Sequence, residues 1–149
     1  MKTMWHRVVC LSVFALACGG EDGEGGTDLK QQWLESAPLQ YVARSCSAGF
    51  TIGSCSVSAV SDGVAVAQRQ RKPDSEIWED VEPPSDVIAS ILNVAKREEV
   101  LAEGCERRVT QHEQYAFPSS VFTSCYNEGY GIQIDCFVAD TLDLSLCEN

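Results

Sequence analysis

Six cysteines spread between residues 46 and 147 constrain this chain more than any other feature. Cys46, Cys55, Cys105, Cys125, Cys136 and Cys147 are separated by 9, 50, 20, 11 and 11 positions, with no C-x-x-C pair among them. Metal sites are built from closely spaced ligand pairs, so this pattern points instead to a disulfide framework, and hence to an oxidising compartment. Six cysteines allow fifteen connectivities. Cys46–Cys55 is the expected bridge, because both residues fall at facing ends of adjacent predicted strands around a Gly-containing loop. Every pairing among the other four stays open at this point, with Cys105–Cys125 and Cys136–Cys147 favoured as strand neighbours.

The N-terminus supplies a route to that compartment. Met1-Lys2-Thr3-Met4-Trp5-His6-Arg7 is short and basic, and Val8 to Ala17 is apolar apart from Ser12. Ten such residues are about half of what a membrane-spanning helix needs, so residues 1–17 read as an export signal and not as an anchor. The segment closes on Phe14-Ala15-Leu16-Ala17-Cys18-Gly19. Ala15 and Ala17 form an A-x-A site for ordinary cleavage, but the same bond fits a bacterial lipobox. In that reading Cys18 receives fatty (palmitate-type) acyl chains and becomes the mature N-terminus. Parity favours the second reading: Cys10 leaves with the signal, and lipid on Cys18 leaves an even six sulfurs to pair. Gly19, standing where Asp would direct inner-membrane retention, fits outer-membrane placement in a bacterial cell envelope.

Residues 18–26 then read as a lipidated cysteine and a flexible tether, since Gly19 to Gly26 holds five glycines, three acids and nothing to bury. Lys2 and Arg7 lie in the leader, so 9 basic and all 22 acidic side chains follow it, a net of −13. Such a surface repels phosphate backbones and anionic lipid. Nucleic acid is not an expected partner, and membrane attachment must be covalent.

Residues 27–149 form one domain. Asp28 to Ala37 reads as a short helix with Leu29 and Trp33 on one face and Pro38 forbidding continuation. Leu39–Cys46 and Cys55–Ser61 are β-like, and Asp62-Gly63 signals a two-residue hairpin turn into Val64–Arg71. Lys72 to Pro84 is a polar excursion. Pro84 or Ser85 then opens a helix whose stripe runs Val87, Ile91, Val94 and Leu101, stopped by Gly104. Further strands follow at 105–115, 119–126 and 132–139, with Asn127 to Gly131 as a turn and Thr141 to Leu146 as an edge segment. The expected fold class is α+β: an antiparallel sheet of five to six strands covered by one long helix plus a short N-terminal helix, disulfide-stapled.

Trp33, Tyr41, Cys46, Cys55, Asp62-Gly63, the helix 87–101 and Tyr115-Ala116-Phe117-Pro118 come in an order that resembles a family of uncharacterised bacterial secreted and lipoprotein domains of unknown function. The resemblance covers most of residues 28–140, with Ala116 where the family pattern has Gly. It implies fold and location, and transfers no catalytic residue.

No catalytic motif stands out. The mature chain has one histidine, His112, on a predicted strand, and lacks a Gly-x-Ser-x-Gly elbow, a His-Glu-x-x-His pair, a phosphate loop and an EF-hand. No cofactor is expected. The acidic run Asp74, Glu76, Glu79, Asp80, Glu82 and Asp86 surrounds Trp78. It is the candidate surface for a basic partner, with Trp78 as aromatic anchor, or for a Ca²⁺ ion; a solvated loop with Trp78 tucked under the sheet is the plainer outcome. The reading that results is a monomeric, membrane-anchored envelope lipoprotein that binds a protein or small molecule. The alternatives are an exported hydrolase using carboxylates or His112, and an inhibitor-like domain presenting the loop Ser47 to Ser54.

Overall fold

A computed structural model describes residues 25–49, 53–96, 101–126 and 128–149. Cys18, the expected leader and most of the expected tether lie outside the described residues. Helix α1 (Gly25–Ser36) begins two residues inside the stretch read as tether. It leads into β1 (Gln40–Gly49), β2 (Cys55–Ser61), β3 (Val64–Arg71), β4 (Trp78–Asp80), helix α2 (Val87–Ala95), β5 (Cys105–Gln111), β6 (Pro118–Cys125), β7 (Glu128–Ala139) and a 3-10 turn (Leu144–Cys147).

Two antiparallel meanders make one sheet. β1 to β4 run outward in sequence order, β5 to β7 return, and β7 docks on β1, which gives the order β4-β3-β2-β1-β7-β6-β5. The Asp62-Gly63 turn is local chemistry: both residues sit at positive φ, 52° and 76°, as the favoured two-residue hairpin requires. Between Arg44 and Ser45 the β1–β7 register slips by one residue, and Asp135 is the extra one. The slip lets its carboxylate meet Arg44 side-on, at 2.8 Å from Nε and 3.1 Å from Nη2.

Alternation along the strands gives the sheet two apolar faces. Tyr41, Ala43, Val60 and Phe137 look to one side, where Leu29 and Trp33 of α1 and Val87, Ile88 and Leu92 of α2 cover them. Val42, Val57, Ala59 and Val138 look to the other, where Leu144 and Cys147 of the 3-10 turn and Trp78 pack.

This overturns the expected sheet of five to six strands under one long helix. Among the described residues the sheet has seven strands, two short helices share one face, and a 3-10 turn serves the other. α2 has nine residues and is capped by Lys96, whose N–H reaches Leu92 O and Val94 O. Its length of about 14 Å cannot span seven strands spread over about 29 Å. The stripe read as continuing to Leu101 stops being helical at Ala95; residues 97–100 lie outside the described residues. β4 lies inside the segment read as a polar excursion, and Asp143 caps a 3-10 turn where an edge segment was expected.

Three disulfides join consecutive cysteines. Cys46–Cys55 and Cys105–Cys125 each link directly opposed residues of neighbouring strands, with Cα atoms 4.1 and 4.0 Å apart. Cys136–Cys147 ties β7 to the 3-10 turn at a Cα separation of 5.7 Å. Such a set fits an oxidising compartment.

Candidate functional site

The sequence-predicted residues do not converge on one place. Asp74, Glu76, Glu79, Asp80 and Glu82 are exposed along β4 and its flanks, and part of their charge is answered within the chain. Asp80 pairs with Arg69 at 2.8 Å and Glu79 with Lys72 at 3.5 Å. Trp78 turns inward to the second core, where its Nε1–H donates to Glu148 O at 3.1 Å and the Arg71 guanidinium lies 5.1 Å over its ring. It does not project as a partner anchor. Among the described residues no three acidic, histidine or cysteine side chains gather as a metal site. The loop Ser47 to Ser54 falls partly outside the described residues.

His112 joins an aromatic cluster instead of a catalytic set. Its ring lies 4.7 Å from Phe117 and 5.4 Å from Tyr115, and its Nδ1 accepts from the Gln114 N–H at 3.2 Å. The same cluster holds Trp33, Tyr41 and Phe137, with Trp33 edge-on to Phe117 at 5.1 Å and to Tyr41 at 5.4 Å. Edge-on rings stack the helix against the sheet and fix α1 in place.

Fixing α1 there leaves a cleft between its C-terminal half, α2 and the sheet end that carries the Asp62-Gly63 turn. The volume is about 420 Å³, inside the usual range for small-molecule sites. Trp33, Leu34, Pro38, Leu39 and Leu92 supply apolar walls, while Lys30, Asp62 and Asp86 supply charge. Leu34 and Leu39 are 64 % and 74 % exposed, unusual for leucines beside a hollow.

Asp86 is the residue whose role is hardest to see from the sequence, where it is one acid of a run. It is the N-cap of α2: the Ile88 N–H donates to its Oδ1 at 2.8 Å. The Tyr41 hydroxyl, on the neighbouring strand, donates to its Oδ2 at 2.7 Å. The Val87 N–H donates to buried Ser58 Oγ at 3.2 Å, so the first turn of α2 is held to both β1 and β2. Burial pushes the Asp86 carboxyl up from its ordinary value, and the bonds from Tyr41 and the helix backbone pull it partly back. Burial raises the Tyr41 phenol too, with the Asp86 charge next in size. The capping signal was present, an Asp directly before an apolar 3.6-residue pattern, but Pro84 and Ser85 compete for it.

Neither protein-family models, nor curated proteins, nor solved structures yield a match to this chain.

Proposed function

We propose that this is an exported binding module held at the bacterial cell envelope by lipid on Cys18, and that the cleft between α1 and α2 is its binding surface. The cleft carries the binding reading. It has apolar walls, exposed leucines at its mouth and a few fixed charges, which is the composition of a recognition site. Attachment is supported by sulfur parity. The cystines use every cysteine from residue 46 onward, so once Cys10 leaves with the signal no cysteine of this chain remains to pair with Cys18. Gly19 supports the outer membrane as destination, and the net charge of −13 supports a covalent anchor over an electrostatic one.

The test is fractionation and intact mass in the native host. The wild-type protein is expected in the membrane pellet with a mass raised by acylation of Cys18 and lowered by the hydrogens of three disulfides. Cys18→Ser is expected in the soluble fraction or retained unprocessed. A Cys18→Ser protein that has lost its signal and still pellets, or an unmodified mass for the wild type, sinks the anchor.

A further inference from the structure

The charges of the cleft are unbalanced. Asp86 is a part-buried carboxylate at the N-terminus of α2, held by the neutral Tyr41 hydroxyl and Ile88 amide. Asp62 lines the same cleft, and Lys30 stands among the lining residues without an ion pair to either carboxylate. A carboxylate partly withdrawn from water and met by neutral donors leaves a negative potential, reduced but not cancelled by the N-terminus of α2, that an added cation relieves and an added anion worsens. The wider protein reinforces the sign, because a net −13 concentrates cations near the surface. Around these acids the walls are hydrocarbon and ring: Trp33, Leu34, Leu39 and Leu92.

We infer that the cleft takes a small amphiphilic cation, an aliphatic or aromatic body bearing one ammonium group, with the body on Trp33, Leu34, Leu39 and Leu92 and the ammonium beside Asp86 and Asp62. This rests on the cleft being the binding surface and adds the class of ligand. The volume of about 420 Å³ accepts a body of eight or so carbons with room for its head. Lys30 opposes the cation from an exposed position, which makes its removal informative.

Three probes with one chain and different heads decide the matter: octylammonium, octanoate and 1-octanol. Each is titrated calorimetrically into the Cys18→Ser protein after removal of its signal. Octylammonium is expected to bind about tenfold tighter than octanoate, with octanol between. Asp86→Asn keeps a capping oxygen and should bring octylammonium close to octanol. Should that variant fail to fold, Lys30→Ala decides on its own, since it is expected to tighten octylammonium and weaken octanoate, each about threefold. Octanol or octanoate binding as tightly as octylammonium overturns the charge selection and leaves the cleft reading standing; so does a Lys30→Ala variant with an unchanged ratio. Absence of binding by all three probes overturns both.

Discussion

At the scale of single residues, the Tyr41–Asp86 contact decides how the helical layer meets the sheet. One carboxylate ends the orphan amides of α2 and anchors the helix to β1, so removing it breaks two things at once. Asp86→Ala deletes the cap and strands a buried hydroxyl, for a loss of about 2–4 kcal/mol in urea denaturation. Tyr41→Phe takes away one donor only and is expected to cost about half as much. The pH dependence has a definite sign. A carboxyl lifted by burial holds its proton more tightly folded than unfolded, so it adds stability as pH falls from the lifted value toward the ordinary 3.8. Measured against Asp86→Asn, the wild type should therefore gain stability through that window as acid is added, and the difference should be flat on either side. A difference that shrinks with acid would show that the hydrogen bonds outweigh burial.

At the scale of elements, the β6–β7 pair shows why some strands were hard to read. Gly129-Tyr130-Gly131 has the look of a turn, yet it is the start of β7. The reason lies on the neighbouring strand, where the Phe122 ring beds down on the two glycines. A Cβ on Gly129 would come within 2.5 Å of that ring, and one on Gly131 within 2.5 Å of Val121 O and 2.9 Å of Phe122 Cα. Gly129→Ala meets a side chain that can be removed, whereas Gly131→Ala meets backbone. Each substitution should cost about 1–3 kcal/mol by overpacking. In a double-mutant cycle Phe122→Ala should rescue Gly129→Ala and leave the Gly131→Ala penalty in place; equal rescue of both would remove this account of the glycines. Legibility follows the same line. Asp62-Gly63 could be read because a two-residue turn is specified by its own residues. The helix after Asp86 reads too long in the sequence because the periodic pattern runs on to Leu101, whereas α2 is capped at Lys96. β4 was hidden because three residues, two of them acids, pair with Arg69 to Arg71 across a register no local pattern announces. The cleft was invisible in one dimension: its lining comes from residues 30–41, 62–63 and 86–92, brought together only by the docking of both helices on one face.

At the scale of the molecule, the face opposite the helices depends on a short C-terminal clasp. Cys147 is buried and bonded to Cys136, Arg44 donates to Cys147 O, Arg69 pairs with Glu148 at 2.8 Å, and the Trp78 indole holds Glu148 O. Four strands thus contribute to pinning two residues. Replacing Cys136 and Cys147 by Ala should lower stability by about 3 kcal/mol through the reopened loop, with a further loss from the space left at buried Cys147. Calorimetric unfolding of the double variant checks this, and an unchanged midpoint would mean that the ion pairs and the indole contact hold the turn without the cystine.

Consecutive pairing of the cysteines also bears on biogenesis. From residue 46 onward, chain order runs Cys46 and then Cys55, Cys105 and then Cys125, Cys136 and then Cys147. An oxidant that joins each thiol to the next one to emerge makes the native set on the first pass, so maturation of this domain calls for an oxidase and not for an isomerase to reshuffle its sulfurs.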